Sequence, residues 1–254
     1  MRTHIRTLLA VILLAGCPSG DDDDTSNDDD VTANDDDIAN DDDATGEEVW
    51  GEVFLGAPDD FTKPSTAPAG TQVSELGANN VTETNAQGRF SITPAGESSF
   101  ELFAEFEPET YVSALVAMTW EQWAATSFVE LELEERSHNA YHYAYEYGGQ
   151  PYSPGHGTLV VEFGGPDGDD PTPVGVGVSI NLDHGGSYAI LGVGQGIEAS
   201  VLPDNAEPEI DFARVEPGVA EISLTLPVGL SQCIGPDSVT VRADTITFVA
   251  YYCQ

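Results

Sequence analysis

Residues 128–134 read FVELELE, and the alternation of apolar and acidic side chains from Val129 onward decides the fold class. A period of two places Leu131 and Leu133 on one face and the glutamates on the other, which predicts a half-buried β-strand. Short apolar runs of this kind recur from residue 49 to 254, with turn residues every eight to twelve positions. Many short strands without helical crossovers between them favour antiparallel sandwiches. We therefore predict an all-β fold with two tandem β-sandwich modules.

Two segments depart from this alternation. Residues 111–120, YVSALVAMTW, are more uniformly apolar, which predicts a strand buried on both faces. Residues 137–149, SHNAYHYAYEYGG, carry a tyrosine at every second position from 141 to 147, which suits a strand. Ser137, however, is a good N-cap residue, and the two final glycines can end a helix. We favour a short helix in residues 137–156 that connects the two modules.

The spacing of glycines and apolar residues in both halves resembles a known module. In residues 49–136 the run Gly51-x-Val53, Ala69-Gly70-Thr71-x-Val73 and Thr84-x-x-x-Gly88-x-Phe90 resembles the carboxypeptidase regulatory-like, or transthyretin-like, β-sandwich. Residues 157–254 are similar more loosely, through Gly157-x-Leu159-x-Val161, Val174-Gly175-Val176-x-Val178 and Val215-x-Pro217-Gly218. The resemblance implies two Ig-like sandwiches that bind, space or support, and it carries no catalytic motif.

The N terminus resembles the leader of an exported protein. A short basic start, MRTHIR, precedes an apolar stretch at residues 8–15 that is too short to span a bilayer. The run Leu14-Ala15-Gly16-Cys17 is similar to the lipobox of bacterial lipoproteins. This implies that residues 1–16 are a cleaved signal peptide and that Cys17 carries the acyl chains of a membrane anchor. Pro18 is not the Asp that commonly retains a lipoprotein at the inner membrane, which implies the outer membrane of a bacterial cell envelope.

Residues 17–48 are predicted to form a disordered, Asp-rich tether. Clusters of aspartate alternate with small polar spacers, so the segment buries too little apolar surface to offset its ordering entropy. Repulsion between like charges extends such a chain. The carboxylates attract divalent cations diffusely, but the stretch lacks the glycine and distal glutamate of an EF-hand.

The charge of the remaining chain limits its partners. The formal net charge is −38, and residues 49–254 hold 30 acidic side chains against five basic ones. Nucleic acid and anionic lipid both recruit Lys and Arg, so this balance excludes both as direct partners. The partners left are the membrane, through the lipid anchor, and envelope proteins or polysaccharide.

Two cysteines near the C terminus, Cys233 and Cys253, are predicted to form a disulfide. Disulfides persist in exported proteins, and Cys17 is already assigned to the anchor. Closing a loop of about 20 residues stabilises a fold by about 3 kcal/mol on the chain-entropy model. The bond would also hold the last strand in place at a terminus that otherwise frays.

One histidine pair suggests metal chemistry. His138 and His142 lie four residues apart, so on a helix they face the same way, like a pair of zinc ligands. Glu134 could add a carboxylate one turn earlier, but the sequence places no convincing third or fourth ligand. Two exposed histidines are commoner than a metal site. A metal-dependent enzyme that uses this pair is therefore kept only as the weaker alternative function.

The remaining motifs do not predict a binding or catalytic site. Residues 167–170, DGDD, invite a calcium site, but a tight hairpin between two strands is the better interpretation. His156 and His184 lie in glycine-rich loops and are interpreted as turn residues. Because the chain has no Gly-x-Ser-x-Gly elbow and its cysteines are assigned, we predict that it is not an enzyme and needs no cofactor.

Aromatic residues cluster around the junction of the modules, among them Trp120, Trp123, Tyr141 and Tyr145. They either form a core between the modules or anchor a carbohydrate or peptide, since Trp and Tyr are the usual anchors of binding surfaces. The principal prediction is a membrane-anchored, non-catalytic lipoprotein that acts as a spacer, adhesion or protein-interaction surface. A carbohydrate- or peptide-binding lipoprotein that uses these aromatics is the alternative.

Overall fold

A computed structural model describes residues 47–56, 65–164, 173–191 and 195–254. The predicted signal peptide at 1–16, the predicted lipidation site Cys17, and residues 167–170 lie outside the described residues. So does nearly all of the tether predicted at 17–48.

The described residues are mostly β-structure, as predicted. In chain order the elements are β1 (Val49–Gly56), β2 (Ser65–Thr66), β3 (Gln72–Glu75), β4 (Val81–Glu83), β5 (Arg89–Ile92), β6 (Ser99–Glu105), β7 (Tyr111–Thr119), α1 (Trp120–Thr126), β8 (Val129–Glu135), α2 (Arg136–Tyr145), β9 (Gly157–Gly164), β10 (Gly177–Ile180), β11 (Gly186–Leu191), β12 (Gln195–Glu198), β13 (Glu209–Val215), β14 (Gly218–Thr225), β15 (Cys233–Ile234), β16 (Ser238–Val241) and β17 (Thr245–Cys253). Neither helix within these described residues combines the length and apolarity of a membrane span.

The strand predictions from patterning are confirmed. Residues 129–134 of FVELELE lie in β8, in which Leu131 and Leu133 are fully buried. The uniformly apolar run forms β7, whose interior residues are buried on both faces. Helix α1 was not predicted. Its sequence signal is a capping box, because Thr119 accepts a hydrogen bond from the backbone amide of Gln122 while the Gln122 side chain accepts from the backbone of Thr119.

One long sheet runs through both halves of the chain. Its central path has the order β12-β11-β13-β9-β17-β7-β6-β3-β4, and β10, β14 and β16 form a second, three-stranded sheet. β1, which carries β2 and β5, joins the long sheet through β8, and β8 pairs with β7.

Parallel pairing joins strands that are distant in sequence. The prediction of antiparallel pairing throughout is wrong, because β17 is parallel to both β7 and β9, and β1 is parallel to β8. Parallel neighbours need a long crossover between them, and here whole groups of strands supply that crossover. Local alternation does not reveal these pairs.

The two largest hydrophobic cores of the described residues share a wall made of β6 and β7. Along β7, Ala114 and Met118 face the first core with β1, β5 and β8, whereas Leu115 and Ala117 face the second core with β10, β14 and β16. Phe103 of β6 also belongs to the second core, although its neighbours in the strand belong to the first. The boundary predicted between residues 136 and 157 therefore does not separate two independent cores.

The C-terminal strand is secured by the predicted disulfide. β15 pairs with the end of β17 so that Cys233 lies opposite Cys253, and the two sulfurs are bonded across a sequence separation of 20. Because β17 lies between β7 and β9, the bond holds the strand that joins the two halves.

Candidate metal centre

Helix α2 begins directly after strand β8 and brings the histidines to the end of that strand. The helix predicted in this connector is confirmed over Arg136–Tyr145. Its predicted N-cap is wrong: Glu135 rather than Ser137 is the N-cap, and it makes no side-chain capping bond. The shift has a simple cause, because β8 continues to Glu135 and leaves no loop in which Ser137 could cap.

Buried tyrosines fix α2 against the long sheet. The Tyr147 hydroxyl donates to Oδ2 of Asp211 on β13 at 2.9 Å, and the Tyr143 hydroxyl lies 2.9 Å from Oγ1 of Thr158 on β9. Burial, reinforced by the charge of Asp211, raises the pKa of Tyr147 well above its ordinary value. The phenol therefore stays a neutral donor, and the helix has a defined orientation on the sheet.

Three side chains converge where β8 passes into α2, and we call Glu134, His138 and His142 the histidine cluster. Oε1 of Glu134 lies 2.9 Å from Nδ1 of His138 and 2.8 Å from Nε2 of His142. One candidate ligand atom from each of the three residues lies within 4.8 Å of the other two. The spacing of four residues places His138 and His142 on one face of α2, as the sequence predicted, whereas Glu134 lies near the end of β8.

The histidine cluster is largely buried, which corrects the expectation of two exposed histidines. The side chains of Glu134, His138 and His142 retain 12%, 10% and 18% of their exposure.

Two further side chains orient the cluster. Nδ2 of Asn139 donates to Oε2 of Glu134 at 3.0 Å, so the other carboxylate oxygen is left to face the imidazoles. Nδ1 of His142 is hydrogen-bonded to the Glu146 carboxylate on the far side of the ring. Nε2 of His142 therefore points at Glu134. Neither Asn139 nor Glu146 was predicted from the sequence. Glu146 could have been found, because it follows His142 by four residues, a spacing that brings two side chains together at a helix surface.

The charges in the cluster stabilise one another. Burial alone would raise the pKa of Glu134, but attraction to His142 and hydrogen bonds with both imidazoles hold it well below its usual range. Burial likewise opposes the charge on His142, but the carboxylates of Glu134 and Glu146 raise the pKa of His142 well above its ordinary value. With no metal bound, the arrangement is an imidazolium held between two carboxylates. Imidazole and carboxylate are also zinc ligands, so the same atoms could hold a cation in place of the proton.

Of the four aromatic residues predicted to bind a ligand, the two tryptophans pack against the first core and the two tyrosines are exposed on α2. Trp123 is only 3% exposed in the first core, so its assignment to a ligand-binding surface is wrong. Trp120 packs against the same core, with its ring 4.9 Å from Phe100 and its Nε1 donating to the carbonyl of Gly96 at 2.7 Å. Tyr141 and Tyr145 are 39% and 63% exposed on α2, and their ring centroids lie 4.4 Å apart. The capping box at Thr119 explains the two tryptophans, because it starts a helix that turns them inward.

A second group of polar side chains comes together only in three dimensions. His156, His184, Arg214 and Glu216 line an open depression of about 370 Å³. Nε2 of His156 lies 3.2 Å from Oε1 of Glu216, and an Arg214 nitrogen donates to Gln150 at 3.1 Å. Sequence reasoning treated both histidines as turn residues, and no spacing in the chain predicts that they meet.

No protein-family model and no curated protein matches the sequence. Among solved structures, the chain is similar to the minor pilin GBS52 of Streptococcus agalactiae, with 13% identity, a TM-score of 0.26, and coverage of 82% of this chain and 95% of that one. It is similar to two B repeat units of the collagen-binding protein of Staphylococcus aureus, with 9% identity, a TM-score of 0.28, and coverage of 82% and 49%. The TIE protein of Bacillus anthracis matches with 12% identity and a TM-score of 0.25, over 81% of this chain and 33% of that one.

This chain thus spans about a third of the TIE protein and about half of the two B repeat units. We draw no functional conclusion from similarities of this size. The predicted resemblance to the carboxypeptidase regulatory-like module stays a prediction.

Proposed function

We propose that the protein is a non-catalytic module of the bacterial cell envelope, anchored through Cys17, which acts as a spacer and presents an interaction surface. The observation that supports this function is the wall shared by the two cores. β6 and β7 contribute side chains to both cores, and β17 is hydrogen-bonded in parallel to β7 and β9. Bending at this junction would break ladder hydrogen bonds and open both cores, so the two halves behave as one rigid body.

The dimensions suit a spacer. Nine strands follow one another along the central path, which at about 4.8 Å between neighbours spans about 40 Å. A tether of about 30 residues adds an average of about 30 Å and at full extension about 100 Å. The excess of acidic side chains keeps such a body away from anionic lipid surfaces.

The anchor is tested by comparing the wild type with Cys17→Ala in intact bacteria. The wild type should sediment with membranes, and the mass of its mature N terminus should include fatty acids on Cys17. Cys17→Ala should be released from the membrane fraction, whereas Cys233→Ser, which removes a different cysteine, should still carry the acyl chains. A wild-type protein that is free in the soluble fraction and lacks fatty acid would refute the proposal.

The spacer role is tested by deleting residues 21–45 while the anchor is kept. Exposed side chains such as Tyr145 can be replaced by cysteine in a Cys17-anchored protein and labelled on cells with reagents of increasing size. The deletion should reduce labelling by large reagents and leave labelling by small ones unchanged, because only the distance to the membrane has changed. Equal labelling of both proteins by every reagent would contradict a spacer.

A second candidate function is binding of carbohydrate or peptide by the exposed ring pair Tyr141 and Tyr145. The specific observation in its favour is that two adjacent rings on α2 are exposed while the neighbouring tyrosines are buried. Replacing both rings with alanine should abolish retention on envelope polysaccharide or on immobilised envelope proteins. Trp50→Ala, which removes an aromatic side chain that is 53% exposed on β1, is the matched control and should be retained normally.

A further inference from the structure

We propose that Glu134, His138 and His142 form a binding site for one divalent transition-metal ion of the zinc class. The site goes beyond the spacer function and does not depend on acylation of Cys17. Its donor set is two imidazole nitrogens and one carboxylate oxygen, which is a combination found in zinc sites with an open coordination position.

The distances between the ligand atoms are close to those of a tetrahedral zinc site. Ligand atoms about 2.0–2.1 Å from a tetrahedral zinc ion lie about 3.3 Å apart. In the histidine cluster, Oε1 of Glu134 lies 2.9 Å from Nδ1 of His138 and 2.8 Å from Nε2 of His142. Zinc binding requires these two contacts to open by about half an ångström. The two ring nitrogens, which lie within 4.8 Å of each other, must reach a similar separation. Side-chain rotations can supply both changes, since the histidines lie on one face of α2 and are close to Glu134 already.

The surroundings of the ligands are those that metal sites use. A histidine ligand usually donates its second ring N–H to a carboxylate, which fixes its orientation and raises its basicity. Glu146 takes this position at Nδ1 of His142, and Asn139 holds the non-ligating oxygen of Glu134. These two contacts leave Nε2 of His142 and Oε1 of Glu134 facing each other, so two of the three ligand atoms are preorganised before any metal arrives.

Two tyrosines, one in α2 and one just after it, keep the site rigid. Tyr143 and Tyr147 anchor the helix to β9 and β13 by hydrogen bonds at 2.9 Å, on the buried side of the helix. Glu134 belongs to β8, the strand that continues into α2. A bound ion would therefore fasten the strand to the helix at the point where the chain passes from one half to the other. Glu134 and His142 keep some exposure, so water could reach a bound ion from their side, whereas both ring nitrogens of His138 are buried.

The test uses the full chain with its disulfide intact, without a polyhistidine tag, in a Cys17→Ser background so that no free thiol competes. Cobalt is titrated in excess magnesium, which occupies the acidic side chains but competes poorly for imidazole. We expect saturation at one equivalent, with the intense visible absorption of four-coordinate cobalt, and displacement by zinc. The absence of a saturable visible band would overturn the proposal.

Variants then assign the ligands. Glu134→Gln, which keeps the size of the side chain, and His142→Ala should each lower zinc affinity by more than the 10- to 100-fold loss typical of removing an orienting partner. Glu146→Gln should fall within that 10- to 100-fold range. His184→Ala is the matched control and should bind like the wild type. Unchanged zinc affinity in Glu134→Gln and His142→Ala would overturn the assignment.

Folding is checked in the same proteins. Thermal unfolding of each variant in a chelator shows whether it is folded before metal is added. Zinc should raise the wild-type melting temperature progressively once its concentration exceeds the dissociation constant, and at concentrations well below the weaker dissociation constant of Glu134→Gln it should leave the melting temperature of that variant unchanged. An equal rise in both proteins would show that zinc stabilises the fold from elsewhere and would refute the site.

Discussion

Phe212→Ala tests whether the two cores unfold together. Phe212 on β13 is the largest fully buried side chain of the second core, with 1% exposure. All three tryptophans, at 50, 120 and 123, lie in the first half of the chain. Tryptophan fluorescence therefore reports on the first core alone, whereas far-UV circular dichroism reports on every strand.

Removing Phe212 should lower the free energy of unfolding by about 3–5 kcal/mol, because the ring leaves a cavity that the surrounding strands fill only in part. If the free energy of unfolding falls by about 3 kcal/mol per molar urea, the urea midpoint of unfolding should decrease by about 1 to 2 M. Because β6 and β7 belong to both cores, the tryptophan signal should shift by the same amount as the circular dichroism signal.

Leu131→Ala, at a fully buried position of the first core, is the positive control and must shift the tryptophan signal under any arrangement of the cores. Phe212→Leu should shift both signals in the same direction by less. The reasoning is refuted if Phe212→Ala leaves the tryptophan midpoint unchanged and adds an earlier, separate phase to the circular dichroism curve.

Three further predictions follow from individual contacts. Cys233→Ser should lower the stability by about 3 kcal/mol through the lost loop constraint, and reduction of the wild type should reproduce the loss while leaving the variant unaffected. Tyr147→Phe should cost about 1–3 kcal/mol in thermal unfolding, because buried Asp211 loses a hydrogen-bond donor; Tyr145→Phe, at an exposed ring, should cost nothing measurable. Burial, followed by the hydrogen bond to Asp244, raises the pKa of Tyr152 from 10.0 to about 12. The folded state therefore holds this proton more tightly than the unfolded chain, so the stabilisation is complete below pH 10.0 and is lost as the pH rises to about 12. Tyr152→Phe should show a shallower fall in melting temperature across that range, and an identical fall in both proteins would contradict the assignment.

The strands could be predicted because their physics is local. Alternation in FVELELE depends only on the period of an extended chain and on which side chains avoid water, and both are written in consecutive residues. The disulfide was predicted from the expected export of the chain and from the position of two cysteines near its C terminus. The spacing of His138 and His142 predicted that they share a helix face, since four residues make about one turn.

Other features depend on parts of the chain that are far apart in sequence. The sequence alone determined the strand content, the acidic charge, the connector helix and the histidine pair. Only the tertiary structure decided that β17 inserts in parallel between β7 and β9, that β6 and β7 serve two cores, and that Trp123 points inward. It also decided the burial of the histidine cluster and the position of His142 between the carboxylates of Glu134 and Glu146. The physical reason is that strand pairing and side-chain burial depend on which distant segments pack against one another. A local pattern shows which face of a strand or helix is apolar, but it does not show which other segment will cover that face.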